Sequence, residues 1–167
     1  MAIAFFERLS DALNRAVIAF CVACVIAMLA ISFIGFFYMI GTGEALSWTY
    51  SLARLFIPWI GMLSITVAFK GGEHVTMNLL LGLVPATFTR LLQWASLGLI
   101  ALFAVLLLWF GWDFFRGSNQ YYMVSDQIRV HGRWVAACIP VTGAILLVHL
   151  ASGRKLLEAP PAEAEGD

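Results

Sequence analysis

The chain has 167 residues, of which 62% are hydrophobic and only 12% are charged. Ordinary soluble domains are about half apolar and about a quarter charged, so water is not the only solvent of this protein. Ten basic residues balance ten acidic residues, and this neutrality argues against a nucleic-acid partner, whose binding depends on clustered cations.

The first two predicted elements are an amphipathic helix and an apolar span. Apolar residues recur at three- and four-residue spacing through residues 1–14, with charged residues between them, as is typical of a helix at a membrane surface. Residues 16–40 carry no charge and exceed the apolar core of a signal peptide. They are therefore predicted to be a retained transmembrane helix.

Three further transmembrane spans follow, at about residues 45–69, 91–112 and 134–150. Between the second and third spans, residues 75–89 are too short and too broken by Gly82 and Pro85 to cross a bilayer. They are predicted to form an interfacial or partly re-entrant helix.

These elements predict an all-α integral membrane protein with four transmembrane helices, an N-terminal amphipathic helix and a short interfacial helix. Residues 1–155 form its single membrane domain. Residues 156–167 are rich in proline, alanine and acidic residues, and they are predicted to be a disordered cytoplasmic tail.

Basic residues near the span ends predict the orientation. With a cytoplasmic N terminus, the inner side would carry Arg8, Arg15, Lys70, Arg90, Arg154 and Lys155, and the outer side Arg116, Arg129 and Arg133. Because positive residues are enriched on the cytoplasmic side, both termini are predicted to be cytoplasmic.

Arg54 is the most informative single residue, because an arginine inside an apolar span is costly unless it snorkels, pairs or faces water. It precedes Lys70 by sixteen residues, about 24 Å of helix, and so lies toward the outer edge of the hydrocarbon. Either its guanidinium reaches the headgroups, or it pairs with Glu44 or with a carboxylate of a partner protein. Pro58 should kink the helix beside it, and Pro140 should bend the last span.

The sequence contains no pattern typical of catalysis or of a cofactor. Cys21, Cys24 and Cys138 all lie in apolar runs, where small side chains packing a helix face are expected rather than a redox or zinc site. His74 and His131 are predicted on opposite sides of the membrane and His149 at a helix end, which disfavours a bis-histidine haem and favours interfacial histidines. No P-loop or nucleophile elbow is present. We therefore predict no enzymatic activity, metal or cofactor.

The stretch from Glu44 to Leu80, EALSWTYSLARLFIPWIGMLSITVAFKGGEHVTMNLL, resembles the signature region of the small permease subunits of tripartite ATP-independent periplasmic (TRAP) transporters. The matching positions are Glu44, Ala53, Arg54, Trp59, Gly61, Ala68, Gly72, His74, Val75, Leu79 and Leu80. Asn78 departs from the family pattern, in which aspartate is more usual, although asparagine keeps a hydrogen-bonding oxygen. The final segment, IRVHGRWVAACIPVTGAILLVHL, also resembles the last helix of that family.

The resemblance implies a multi-pass scaffold subunit in a bacterial inner membrane, surrounded by membrane lipid. Its partners would be a large multi-span permease subunit, in a heterodimer or a fusion, and a periplasmic solute-binding protein. The larger subunit would carry the substrate and sodium sites for the symport of a small organic acid or similar anion. Candidate positions for the fold or the subunit interface are Glu44, Arg54, Trp59, His74 and Asn78. Candidates for facing the binding protein are Glu44, Trp48, Arg116, Tyr121, Tyr122 and Arg129.

Two rival functions belong to other classes. The first is a membrane anchor of a respiratory enzyme that binds haem or quinone, and it predicts a haem absorbance. The second is a small channel or exporter that works as a homo-oligomer. It predicts a stable complex without any other gene product and a pore-facing polar stripe, which these spans do not show.

Overall fold

The structure, a computed structural model, describes residues 2–71 and 86–152. Over these residues it is a helical bundle with one short β-hairpin. Its elements are α1 (Ala2–Thr42), α2 (Ser47–Arg54), α3 (Ile57–Lys70), α4 (Ala86–Gly117), β1 (Tyr121–Met123), β2 (Arg129–His131), α5 (Arg133–Ala136) and α6 (Cys138–Ala151).

Four stretches of the described residues are long and apolar enough to cross a membrane. They are Phe6–Thr42, Ser47–Lys70, Trp94–Gly117 and Arg133–Ala151. This confirms the prediction of an all-α membrane protein with four spans. Of the predicted interfacial helix, residues 75–85 lie outside the described residues and residues 86–89 form the start of α4. His74, Asn78 and the predicted tail also lie outside the described residues.

The predicted N-terminal amphipathic helix and the first span form one continuous helix. No glycine or proline stands between residues 2 and 34, so nothing in the backbone chemistry ends the helix between the two segments. The 41 residues of α1 extend over about 60 Å. Because the hydrocarbon of a bilayer is only about 30 Å thick, α1 must tilt or extend beyond it.

The two proline positions coincide with helix interruptions, as the sequence predicts. Leu55 and Phe56 separate α2 from α3, and their N–H groups donate to Leu52 O and Ala53 O in three-residue turns. Proline has no N–H, so Pro58 leaves the carbonyl of Arg54 without its helical partner. Ala137 likewise separates α5 from α6, three residues before Pro140.

The last span lies at the centre of the bundle. In its most apolar window 44% of the residues are buried, against 11–17% in the other three spans. One core cluster joins α1, α3 and α6 through Val17, Leu63 and Ile145. A second joins α3, α4 and α6 through residues Phe69, Ala104 and Leu146. The first, second and third spans therefore pack around α6.

Candidate functional site

The connection between the third and fourth spans folds into a hairpin. β1 and β2 are antiparallel, with Tyr122 opposite Val130, and the ring of Tyr121 meets the ring of His131 edge-on at 4.8 Å between centroids. The sequence between the third and fourth spans is the longest polar connection of the chain. The aromatic and β-branched residues on either side of Ser125 are the signal that favours paired strands.

Hydrogen bonds attach this hairpin to the end of α4. Arg133 Nη2 donates to Asn119 Oδ1 at 2.8 Å and to the carbonyl of Arg116 at 3.4 Å. The N–H of Gly132 donates to Gln120 O at 2.7 Å. A Cβ at Gly132 would lie 2.8 Å from that same carbonyl oxygen, so the close approach requires glycine. The hairpin is thus held at the end of the bundle.

The residues predicted to face a binding protein lie in two places. Arg116, Tyr121 and Arg129 are exposed on and beside the hairpin, where Tyr122 is half-buried. Glu44 is exposed in the loop between α1 and α2, and Trp48 is half-buried at the start of α2.

Arg54 is exposed at the C-terminal end of α2. Its guanidinium makes no hydrogen bond or ion pair within the part of the chain that the structure describes. The ion pair found there joins Lys70 to Asp11, and Glu44 bonds through its backbone N–H to Thr42 Oγ1. Pairing of Arg54 with Glu44 is therefore not observed, and contact with the headgroups or with a carboxylate of a partner protein stays a prediction.

Trp59 joins three helices of the bundle. Its Nε1–H donates to the carbonyl of Trp134 in α5 at 3.0 Å. Its ring meets Phe20 of α1 edge-on, with 5.6 Å between the ring centroids. Trp59 itself belongs to α3, so a single side chain ties α1, α3 and α5 together.

We expect Trp59→Phe to lower the free energy of unfolding by about 1 kcal/mol, because it removes the hydrogen bond to Trp134 O and keeps most of the aromatic surface. Thermal melting of the purified protein in detergent measures this. Trp109→Phe is the matched control, since Trp109 is 71% exposed. An equal effect of the two substitutions would contradict the bonded role of Trp59.

A polar cluster lies at the opposite end of the bundle from the hairpin. Lys70 Nζ donates to Ser10 Oγ at 2.8 Å and to Asp11 Oδ1 at 2.5 Å. The Ser10 hydroxyl lies 2.7 Å from His149 Nδ1. Because the ammonium can only donate, Ser10 Oγ accepts from Lys70, and which of Ser10 Oγ and His149 Nδ1 donates to the other depends on the imidazole tautomer. This chain of bonds connects α1, α3 and α6.

His149 lies near the end of the last span, as the sequence predicts. Its side chain is only 1% exposed, because it packs inside the bundle with Ser10 of α1 beside it. The signal in the sequence was Ser10 itself, a polar residue on the helix face that packs against the bundle.

The described residues do not support haem or metal binding. His131 lies in the hairpin and His149 near the far end of the last span, so these two imidazoles are not at matched depth. Among the described residues no group of three His, Cys, Asp or Glu side chains could hold a metal ion. Cys21, Cys24 and Cys138 are free thiols.

Comparisons with known proteins agree with the resemblance in the sequence. A family model described as "Tripartite ATP-independent periplasmic transporters, DctQ component" matches residues 38–158. A similar curated protein is the sialic acid TRAP transporter permease protein SiaT of Haemophilus influenzae (strain 86-028NP). The two are 27% identical over 110 residues, which are 61% of this chain and 16% of that protein. The chain thus corresponds to only a small part of that relative's length. No solved structure matches the chain.

Proposed function

We propose that this chain supports a larger permease subunit and does not itself carry the solute. The proposal proceeds from its family, since the chain belongs to the DctQ-component family of the tripartite ATP-independent periplasmic transporters. The chain corresponds to the small permease component of a TRAP transporter, and it is a multi-pass protein of the inner membrane. Its family is one of transporters and not of enzymes. The scaffold role, the partners, the coupling ion and the solute are the proposed parts.

The described residues include no buried carboxylate, and this supports the scaffold role. The buried polar residues of the described part are Ser10, Thr66, Ser118, Thr142 and His149. Ion-coupled carriers hold carboxylates or exposed backbone near the middle of the membrane, where they bind the ion and the solute. The described spans contain no buried carboxylate, so the transport pathway belongs in another polypeptide or in another part of a fused chain.

The comparison with SiaT supports the proposed partner and solute. That relative contains far more chain than the matching region, as expected if this module accompanies a large multi-span permease. Its name specifies sialic acid, which agrees with import of a small organic acid or similar anion. By family resemblance, a periplasmic binding protein delivers the solute and sodium drives its uptake.

We further propose that both termini are cytoplasmic. The hairpin and the loop around Glu44 then face the periplasm, where the binding protein docks. The cluster of Ser10, Lys70 and His149 lies at the cytoplasmic end. The excess of basic residues on the inner side supports this orientation.

Co-expression with a large permease subunit of the same TRAP transporter tests the proposed partnership. An affinity tag on this chain should recover the large subunit in a 1:1 complex that survives size-exclusion chromatography in detergent. Recovery of this chain alone as a homo-oligomer would contradict the proposal. A Soret absorbance in the purified sample would instead support the respiratory anchor.

A further inference from the structure

A histidine accepts a backbone hydrogen bond at the junction between the hairpin and α5. The N–H of Arg133, the first residue of α5, donates to His131 Nδ1 at 3.2 Å. The first N–H groups of a helix have no acceptor within that helix, so another group must supply one. The preceding N–H, that of Gly132, donates to the backbone carbonyl of Gln120. The Arg133 N–H therefore depends on an imidazole acceptor, whereas its neighbour depends on the backbone.

This hydrogen bond specifies the protonation state of the imidazole. A backbone N–H can only donate, so Nδ1 of His131 accepts through its lone pair, and the proton of the neutral ring lies on Nε2. A protonated imidazolium carries a hydrogen on both ring nitrogens and can only donate. Protonation of His131 therefore removes the acceptor of the Arg133 N–H and brings two hydrogens against each other.

The charges around His131 act in the same direction. The titratable or charged residues next to it are Tyr121 on β1, Arg129 on β2, Arg133 on α5 and Arg116 at the end of α4, whose carbonyl accepts from the Arg133 guanidinium. Asp126 lies in the turn at the opposite end of the hairpin. A protonated imidazole adds a cation beside these arginines, and like charges repel.

Water reaches His131. The imidazole is half-buried, and it lies in the connection between the span that ends at Gly117 and the span that begins at Arg133. Histidine is the side chain whose charge ordinarily changes between about pH 5 and pH 8. The other histidine of the described residues, His149, is only 1% exposed inside the last span. The hairpin histidine is therefore the one placed to respond to the pH outside the membrane.

We propose that His131 is a pH-sensitive switch, which holds the hairpin to the start of α5 while its ring is neutral and releases this contact when the ring is protonated. The backbone bond between Gly132 and Gln120 is present in both states, so the hairpin loosens at this junction and does not detach. The hairpin carries Tyr121 and Arg129, two of the positions expected to face the binding protein. Docking there should therefore weaken at low pH, and this consequence alone rests on the proposed function.

Two substitutions separate the acceptor from the ring. Asparagine carries its Oδ1 on the same carbon as the Nδ1 of histidine, so His131→Asn keeps an acceptor that does not titrate. Phenylalanine keeps an aromatic ring that can meet Tyr121 edge-on, but it has no acceptor, so His131→Phe is the matched control.

The measurement is hydrogen exchange at the Arg133 N–H, by NMR of the chain in detergent with isotope-labelled arginine. Arg133→Lys identifies the signal, because it removes it. After division by the intrinsic exchange rate at each pH, this N–H should exchange about fivefold faster near pH 5 than near pH 8 in the unsubstituted chain. His131→Asn should keep the slow rate at both values, and His131→Phe should exchange fast at both. The N–H of Arg15, inside α1, should not change.

Three results would overturn the proposed switch. One is equal protection of the Arg133 N–H at both pH values in the unsubstituted chain. Another is the same loss at low pH in His131→Asn, because a different group would then be responsible. The third is full protection in His131→Phe, because the imidazole nitrogen would then not be the acceptor that protects this N–H.

The consequence for docking has its own test. The cognate binding protein should bind the assembled transporter about fivefold more weakly near pH 5 than near pH 8, and His131→Asn should bind it equally at both. Equal binding by the unsubstituted transporter would overturn this consequence. A failure to bind at either pH would contradict the proposed function, and it is distinguishable because hydrogen exchange in the purified chain tests the switch without any partner.

Discussion

Replacing Gly143 by valine is expected to separate the last two spans and to destabilise the protein by about 3 kcal/mol or more. A Cβ at this position would lie 2.8 Å from the backbone nitrogen of Leu108 and 2.9 Å from the carbonyl oxygen of Ala104. Both atoms belong to the backbone of α4, so they cannot move aside as the end of a flexible side chain could. The whole helix must shift, and the contacts of α6 with α4 are lost with it.

The matched control for this substitution is Gly98→Val, which introduces the same side chain into α4 where the structure leaves open space. Denaturant or thermal unfolding in detergent should show a change within about 1 kcal/mol for the control. Similar destabilisation by both substitutions would mean that valine in a helix, and not close helix packing, is responsible.

His149→Ala is expected to cost about 3 kcal/mol. The substitution empties a site that is 1% exposed, and it leaves the buried Ser10 hydroxyl without its hydrogen bond to the imidazole. His131→Ala is the control, because the half-buried His131 lies in the outer hairpin. It should cost less than about 1 kcal/mol.

A double-mutant cycle isolates the contact between Ser10 and His149. If the two side chains act through their 2.7 Å hydrogen bond, Ser10→Ala should cost about 1 kcal/mol less once His149 has been replaced than it does in the unsubstituted chain. The bond from Lys70 to Ser10 is lost in both backgrounds and cancels in the cycle. Strict additivity would mean that the two residues contribute independently, and the polar cluster would then not couple α1 to α6.

The sequence predicted the features that depend on local chemistry. An apolar run long enough to cross a bilayer requires a helix there whatever surrounds it, so the four spans were predictable. The interruptions near Pro58 and Pro140 follow from the missing N–H of proline. The continuity of α1 was not predicted, because the change from charged to apolar residues after Arg15 suggested two elements although nothing breaks the backbone.

The features that depend on neighbouring helices could not be predicted. To predict that His149 is buried, one must know that α1 places Ser10 beside it. To predict the role of Trp59, one must know the position of Trp134. The roles of His74 and Asn78, which lie outside the described residues, stay predictions.

The central claim is that this chain supports a transport pathway located elsewhere. It is tested most directly by solute uptake into proteoliposomes supplied with the cognate binding protein and an inward sodium gradient. Vesicles holding this chain together with the large subunit should accumulate the solute, whereas vesicles holding this chain alone should remain at the background of empty liposomes. Uptake by the chain alone would contradict the account.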